Sequence, residues 1–338
     1  MGTAGLGHHE AGRAAPEDVR HLSSVPGIWI QSEDAIPRRF EKNRRMVPGA
    51  YKITLTAAEK DLNPFRRYLR TFVDVGSLFR NLVRHQELIQ IMAWRDFTAR
   101  YRGSFGGLFW SLFHPLVMMV IYTIVFSLFL KIRFSTDASP VTFSVYLLCG
   151  LLPWSALSEG LQVSKDIIRS NVNFVKRVVF PLEIMPLNAA LTSSIQQVFG
   201  FILLIPLAWI LTKNLHWTLF FVPVIIALQL LFAIGLNWII ASLAVYLPDF
   251  GQFINLLLTV WMFLTPIFYP LDVVPPQALI IFQLNPMAHL VKMYRGAFMT
   301  GELPGLVTFL GTAFFCTFIF LLGYFWFMHS KKGFADVL

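Results

Sequence analysis

The sequence predicts an all-α integral membrane protein with about six transmembrane helices in the chain. Hydrophobic residues make up 56% of the 338 residues and charged residues only 14%, whereas about 25% of the residues in a soluble domain are charged. Six apolar runs follow residue 110, each near the length of about 20 residues that a spanning helix needs. Lysine and arginine cluster before the first run, between the second and third, and at the C-terminus. This distribution predicts that both termini are cytoplasmic.

The apolar runs are the predicted spans, and a hydrophilic segment precedes them. The runs cover residues 111–130, 143–161, 187–211, 219–247, 253–268 and 306–328. Because proline cannot continue a helix interior, we expect Pro153 to break the second run. The fifth run is short for a span. Residues 1–84 are predicted to form a partly disordered cytoplasmic extension, and residues 85–338 to form the membrane domain.

An amphipathic helix is predicted over residues 86–102, directly before the first run. Its apolar members are Ile89, Met92, Ala93, Phe97 and Tyr101, and the opposite face carries Arg95, Thr98 and Arg102. Leu88 and Ile91 interrupt this pattern. We expect the helix to lie on the cytoplasmic membrane surface and then to turn into the bilayer. The glycines that permit the turn are Gly103, Gly106 and Gly107. The alternative is a charged surface helix followed by a buried core helix.

Residues 165–186 form a basic connection between the second and third runs, predicted to be cytoplasmic. Pro181 and Pro186 end any helix in it. A short helix parallel to the membrane is expected. Its predicted cytoplasmic residues are Asn171, Asn173, Phe174, Lys176 and Arg177. An ordinary loop that only sets topology is the alternative interpretation.

Residues 269–304 form a second connection, predicted to be external. Its prolines exclude a long helix, while residues 280–284 and 290–298 keep helical periodicity. Short re-entrant or interfacial helices are therefore expected here. Irregular backbone at membrane depth is tolerated only where protein or a water-filled cavity covers it. This connection is thus predicted to line or cap a conduit.

Several function classes lack the residues they need. The centres of the runs carry almost no ionisable residue, which argues against a proton- or sodium-coupled carrier. There is no G-x-x-x-x-G-K-[ST] phosphate loop and no Ser-His-Asp, HExxH or paired-carboxylate arrangement at a plausible depth. Cys149 and Cys316 lie in apolar runs and are predicted to pack, not to bind a metal. The net charge of +9 follows the topology and attracts anionic lipids, so no nucleic-acid partner is predicted.

The runs contain aromatic and amide residues instead. Aromatic faces stack on sugar rings and amides hydrogen-bond hydroxyl groups, a combination suited to a sliding neutral or anionic polymer. The amides are Gln196, Gln197, Gln229, Asn237, Gln252 and Asn255. The predicted channel residues are Phe109, Trp110, Phe113, Tyr122, Trp154, Trp261, Phe263, Phe268 and Tyr269. Aromatic anchoring at the membrane interface and helix packing by amides are the alternative roles.

Three places in the chain resemble one family. The first is Arg95-Asp96, followed by Arg100-Tyr101-Arg102, Gly106 to Ser111 and Pro115. The second, over residues 171–187, contains Lys176, Phe180-Pro181, Glu183-Ile184 and Pro186-Leu187. The third is Asn285-Pro286-Met287 followed by Tyr294-Arg295, and Gly333 to Asp336 also fits. In this order the motifs resemble the transmembrane permease subunit of ABC exporters for O-antigen, capsular polysaccharide and teichoic acid. The long extension, Val178-Val179 and Leu182 depart from the pattern.

The resemblance implies a homodimer that works with two separate ATPase subunits, which bind ATP and Mg²⁺, in the cell inner membrane. The chain itself would be no enzyme and would hold no cofactor. A lipid-linked polysaccharide would pass through a channel formed chiefly by the first and fifth spans of both protomers. Residues 165–181 would contain the coupling helix, and the amphipathic helix would be a gate. Its phosphate-attracting residues would be Arg95, Arg100 and Arg102.

Two other functions remain open. One is a permease of the same architecture that exports a small drug or a lipid. The other is a membrane-embedded glycosyl- or acyltransferase, although no acidic or histidine cluster supports it.

Overall fold

The structure is a computed structural model, and it describes residues 76, 80, 83–100, 109–122, 124–125, 129, 140–177, 180–212 and 216–338. These residues belong to one unit, Asn63–Leu338. The described residues contain eleven α-helices, with the bounds α1 Gln86–Ala99, α2 Phe109–Tyr122, α3 Pro140–Ile167, α4 Val172–Arg177, α5 Ile184–Thr212, α6 Val222–Tyr246, α7 Phe250–Phe263, α8 Leu279–Leu284, α9 Pro286–Arg295, α10 Leu306–Ser330 and α11 Phe334–Val337. Most of the predicted extension, and the three glycines of the expected turn, lie outside the described residues.

The regular structure is helical throughout the described ranges, as the sequence predicts. Three stretches within them are long and apolar enough to cross a membrane: Ile184–Ile210, Trp217–Tyr246 and Leu306–Val337. Helix α7 is apolar but shorter. The described part of the chain is therefore consistent with an all-α membrane protein.

The expected break at Pro153 is wrong, because α3 continues through this residue for 28 residues. Helix α5 likewise contains Pro206. A proline removes one intrahelical hydrogen bond, but neighbouring helices can satisfy the freed backbone groups in membrane proteins. The Gln229 side-chain amide on α6 donates to the Pro153 carbonyl at 3.0 Å. The acceptor that loses its intrahelical N–H is instead the carbonyl four residues earlier, at Cys149, so this bond joins α6 to α3 beside the proline without replacing the missing one.

Helix α6 occupies the centre of the bundle and packs against α3, α5 and α10. Trp238 on α6 is fully buried. At the α6–α10 crossing, a Cβ atom added to Gly323 would overlap the carbonyl group of Gly235. The two backbones therefore touch directly, an approach that only glycine permits.

A buried polar cluster joins three helices near the middle of the core. The Gln197 amide on α5 donates to Gln229 on α6 at 3.0 Å and to the Tyr294 hydroxyl on α9 at 3.1 Å. The Tyr294 hydroxyl in turn donates to Gln229 at 2.8 Å. Each polar group has a partner, which offsets the cost of burying it. Two of the predicted amides are thus packing residues.

The helices alternate in direction and define two ends of the bundle. The α4 end also contains the ends of α3, α6 and α10 and the starts of α5 and α7. Arg169 there donates to the Val245 carbonyl at 3.1 Å. The α9 end contains α8, α9 and the starts of α6 and α10, where the Thr218 hydroxyl donates to the Ala297 carbonyl at 3.0 Å.

Candidate functional site

Helix α1 packs on α5 with the face that the sequence pattern predicts. Ile89, Ala93 and Phe97 are buried, and the Phe97 ring stacks on Phe199 of α5 with centroids 5.3 Å apart. The opposite face exposes 67% of Ile91 and 54% of Trp94. Ile91 therefore lies off the buried apolar stripe, as the sequence indicates, on the exposed side of α1 that also carries Arg95.

The predicted phosphate-attracting arginines lie in different environments. Arg100 donates to the carboxylate of Glu159 on α3 and to Gln196 on α5 at 3.0 Å. Arg95 is more exposed and pairs with Asp96 on its own helix at 2.8 Å. Asp96 also accepts a hydrogen bond from Asn188 on α5 at 2.6 Å. Arg102 lies outside the described residues. The end of α1 is therefore fastened to α3 and α5 by polar contacts.

The short helix expected in the basic connection is present as α4, after a 3-10 turn at Arg169–Asn171. Asn173, Phe174 and Lys176 are exposed. The Phe174 ring lies 5.2 Å from Phe180, centroid to centroid. Asn171 instead donates to the Ile167 carbonyl at 2.8 Å and so satisfies the end of α3. The Arg177 side chain lies outside the described part.

The predicted channel aromatics divide into an exposed and a packed group. Phe109, Phe113 and Phe263 have exposed side chains. The rest of the group that is described is packed: Trp154 and Phe268 are buried, and Trp261 and Tyr269 are half-buried. Trp154 meets Trp261 edge to face at 5.8 Å. The side chains of Trp110 and Tyr122 lie outside the described residues.

Two helices carry a row of polar side chains, or polar stripe, on an exposed face, and this pattern is not among the features predicted from the sequence. Helix α3 exposes Ser155, Gln162 and Asp166, and α7 exposes Gln252, Asn255 and Thr259. The Lys165 ammonium on α3 donates to Asn255 on α7 at 3.1 Å, so the two stripes adjoin. Their spacing of three, four and seven residues places each set on one helix face. The spacing can be read from the sequence, but the channel residues predicted there are the aromatic ones.

An open groove of about 500 Å³ lies at the α4 end of these stripes. The residues that line it are Glu159, Gln162, Val163, Lys165, Asp166, Ile167, Ser170 and Asn171. The groove therefore adjoins the Arg100–Glu159 pair on one side and the turn before α4 on the other. Its lining offers both charge signs and several hydrogen-bonding groups to a polar ligand.

At the α9 end, short helices α8 and α9 confirm the expected interrupted connection. The Asn285 side chain caps α9 by accepting from the Met287 amide at 3.0 Å. The same side chain accepts from Trp261 at 3.1 Å and donates to the Leu264 carbonyl at 3.0 Å. This motif residue thus holds α8 and α9 against the end of α7.

Arg295 fastens the other end of α9. Its guanidinium carbon lies 3.4 Å from the centroid of the Tyr146 ring on α3, and Nη2 donates to the Ile267 carbonyl at 2.8 Å. Such a cation–π contact is worth more when it is removed from water. Both Asn285 and Arg295 therefore position the α8–α9 element through contacts with the long helices.

No group of three or more metal-ligating side chains occurs among the residues that the structure describes. Cys149 and Cys316 are buried free thiols there. Their environment agrees with the packing role that the sequence predicts.

Comparisons with known proteins point to one family. The sequence pattern of the ABC-2 type transporter family matches residues 87–299. The O-antigen export system permease protein RfbA of Myxococcus xanthus is 28% identical over 229 residues, which are 67% of this chain and 86% of that protein. The protein of the same name from Klebsiella pneumoniae is 26% identical over 219 residues, 64% of this chain and 82% of that protein. The polysialic acid transport protein KpsM of Escherichia coli is 25% identical over 215 residues, 63% of this chain and 81% of that protein. The family match spans most of the helical bundle, and the chain therefore belongs to the ABC-2 type transporter family.

Proposed function

We propose that this chain is the permease subunit of an ABC exporter that moves a lipid-linked or lipid-anchored polysaccharide across the inner membrane. Family membership supports a transport role, and the relatives named for O-antigen export and polysialic acid transport support the substrate class. In this proposal the chain crosses the membrane six times, and residues 85–338 form the membrane domain. Both termini and the α4 end are cytoplasmic, which agrees with the clustering of basic residues.

The channel is proposed to lie at the interface of a homodimer, with α2 and α7 of both protomers as its main walls and the polar face of α3 beside α7. The observation that carries this proposal is the pair of adjoining polar stripes on α3 and α7. Polar side chains on an exposed helix face are costly in lipid, so at membrane depth they face water or another subunit. Hydroxyl and amide groups there would hydrogen-bond sugar hydroxyls. The exposed rings of Phe109, Phe113 and Phe263 would supply stacking faces.

Entry of the lipid-linked end is assigned to α1. Its outer face, with Ile91 and Trp94, suits the interface between headgroups and acyl chains. Exposed Arg95 would attract a phosphate group, as would Arg102. Arg100 would do so only by exchanging the Glu159 carboxylate for a phosphate oxygen, because both are oxygen anions that a guanidinium binds. The Arg100–Glu159 ion pair would thus have to open before Arg100 binds a phosphate group at the entrance.

Helix α4 is proposed as the coupling helix that docks into a separate ATPase subunit, two copies of which serve the dimer. Its exposed Asn173, Phe174 and Lys176, together with Asn171 and Arg177, would form the contact. ATP and Mg²⁺ would be bound by that partner, since the chain carries no phosphate-loop motif. At the α9 end, α8 and α9 would cap the external exit of the channel.

The decisive experiment replaces Phe174 by Asp in the full exporter. In cells that lack the native permease gene, the wild-type chain should restore polymer at the surface, whereas Phe174→Asp should leave it inside. Because a charge would be placed in the apolar contact, ATP hydrolysis by the purified complex should no longer respond to the permease. The matched control is Val273→Asp, at a valine of the α9 end that is also exposed.

Three results would contradict the proposal. Normal export by Phe174→Asp would remove α4 from the coupling role. Metal-dependent transferase activity of the isolated chain would make it an enzyme. Transport of a small drug or a phospholipid by the complex in vesicles, with no transport of the lipid-linked polymer, would favour the alternative substrate class.

A further inference from the structure

The C-terminal segment folds back over the end of α6. Phe334, the first residue of α11, is fully buried. Its ring meets Phe327 of α10 edge to face at 5.6 Å and lies 5.9 Å from Tyr246 of α6, centroid to centroid. Burial of a phenylalanine ring stabilises the segment that carries it. The last residues of the chain are therefore anchored by a side chain in the core.

The backbone at Gly333, directly before Phe334, passes close to the end of α6. A Cβ atom added to Gly333 would lie 2.8 Å from the Tyr246 hydroxyl oxygen. That hydroxyl cannot move away freely, because it donates to the Ser330 carbonyl at 2.7 Å. Glycine at position 333 thus lets the chain pass directly over the end of α6.

A salt bridge fastens the same segment to the connection between α4 and α5. The Lys331 ammonium lies 2.9 Å from the carboxylate of Glu183, whose side chain is 8% exposed. The Glu183 carbonyl accepts from the Trp238 indole of α6 at 2.9 Å. The C-terminal segment and the residues that follow α4 are therefore held by the same part of the core.

Helix α11 also contacts α4 itself. With six residues, α4 is about 9 Å long, and a helix this short has no stability of its own in water. The turn that precedes α4 is held by the hydrogen bond that Arg169 donates to the Val245 carbonyl. The next residue, Tyr246, is the one whose ring contacts Phe334 of α11. The end of α6 thus places α4 and α11 side by side.

A stable protein–protein interface needs more surface than α4 offers. Such interfaces bury about 800 Å² on each partner and use roughly 20–30 residues a side. The neighbouring residues Ala335, Asp336 and Val337 are exposed, Val337 to 51%. Among the side chains that the structure describes, α4 and these residues provide two exposed apolar groups, Phe174 and Val337, beside the charged groups of Lys176 and Asp336.

We propose that α4 and α11 together form one docking surface for the ATPase subunit, and that Phe334 is the positioning residue that holds α11 beside α4. This inference rests on the proposed coupling role of α4. It adds a second element to the contact and gives a function to the C-terminal Gly333–Asp336 motif.

The test measures how fast a water-soluble maleimide labels single cysteines in the purified permease, alone and bound to its ATPase. Phe174→Cys reports on α4, Val337→Cys on α11, and Val273→Cys at the α9 end is the matched control. Cys149 and Cys316 are buried and provide little background. Because a docked partner excludes water from its contact residues, labelling of Phe174→Cys and Val337→Cys should slow about tenfold in the complex. Labelling of Val273→Cys should not change.

The two cysteines separate failure of this inference from failure of the proposed function. Shielding of Phe174→Cys without shielding of Val337→Cys would overturn the docking role of α11 and leave the coupling role of α4 standing. Shielding of neither would overturn both. Shielding of Val337→Cys and Phe174→Cys together supports the shared surface.

A second variant tests the positioning role. Phe334→Ala should abolish the shielding of Val337→Cys and weaken ATPase binding, whereas Phe334→Met, which refills the site, should restore both. Thermal unfolding of the permease alone measures the purely structural effect. If Phe334→Ala lowers the unfolding temperature yet leaves the shielding intact, Phe334 stabilises the fold but does not position the docking surface.

Discussion

Arg100, at the end of α1, pairs with Glu159 on α3, 59 positions further along the chain. The same guanidinium reaches Gln196 on α5 at 3.0 Å. One side chain therefore connects the helix before the first span to two long helices of the bundle. A positive charge that looks available for phosphate in the sequence already has an acidic partner in the fold.

Glu159→Gln should lower the free energy of unfolding by about 1–2 kcal/mol, between the values typical of exposed and of buried ion pairs. The side chains of Arg100 and Glu159 are 24% and 33% exposed, which places the pair between those limits. Thermal or denaturant unfolding in detergent measures the change. Arg95→Gln is the control, because its pair with Asp96 is more exposed, and it should cost less than about 0.5 kcal/mol. Equal effects of both variants would contradict this interpretation.

Export should distinguish Arg100 from Glu159 if the arginine also receives phosphate. Both Arg100→Gln and Glu159→Gln break the ion pair, so a purely structural role predicts equal losses of export. A phosphate-binding role predicts that Glu159→Gln keeps most of the export activity while Arg100→Gln loses it. Rates of polymer appearance at the cell surface, normalised to permease content, decide between the two.

The glycine crossing of α6 and α10 should not tolerate one methyl group. Gly323→Ala and Gly235→Ala would each drive a Cβ atom into the backbone of the facing helix, and overpacking of this kind costs about 1–3 kcal/mol. Gly311→Ala on the same helix α10 is the control, because nothing lies within 4 Å of its added Cβ. It should leave stability unchanged or raise it by up to about 1 kcal/mol, the helix preference of alanine over glycine. Comparable losses at positions 311 and 323 would show that the crossing is not the cause.

The hydroxyl of Tyr294 should contribute measurably to the core. Tyr294→Phe leaves Gln197 and Gln229 each with one hydrogen bond fewer. Hydrogen bonds between membrane helices contribute about 0.6 kcal/mol on average and up to about 1.7 kcal/mol. Unfolding in detergent should therefore show a loss within that range. Thr317→Val, which removes an exposed hydroxyl bonded only to its own helix, should show almost none.

Apolar periodicity was enough to place most helices, because membrane length and helical rise constrain every span alike. It failed at Pro153, because a helix packed among neighbours can run through a proline with the loss of one hydrogen bond, and no local pattern near residue 153 reports those neighbours. Ile91 interrupts the apolar stripe in the sequence, and in the fold it is exposed beside Arg95 and Trp94 and not packed against α5.

Within the candidate site, the sequence shows which residue types are present, but it does not show which of their side chains are exposed and which are buried. The channel role of the aromatic residues on α2 and α7 stays a prediction, whereas Trp154 and Phe268 are buried by packing. Burial of this kind depends on which helices become neighbours, which a single sequence does not reveal. The smaller polar residues of the stripes carried a helical spacing that could have been found by asking which polar positions repeat every three, four or seven residues.

Water should reach the polar stripes at membrane depth if they line the channel. Gln162→Cys on α3 and Thr259→Cys on α7 are expected to react with a water-soluble maleimide in the complex reconstituted in vesicles. Ile202→Cys on α5 is the control, because its side chain is also exposed on the bundle but its apolar surroundings suit lipid. It should remain unlabelled, since the thiolate that reacts is strongly disfavoured in hydrocarbon. Labelling of Ile202→Cys as fast as Thr259→Cys would mean that exposure on the bundle, not a water-filled path, controls the reaction. Protection of Thr259→Cys alone by lipid-linked polymer would place the sliding chain on α7.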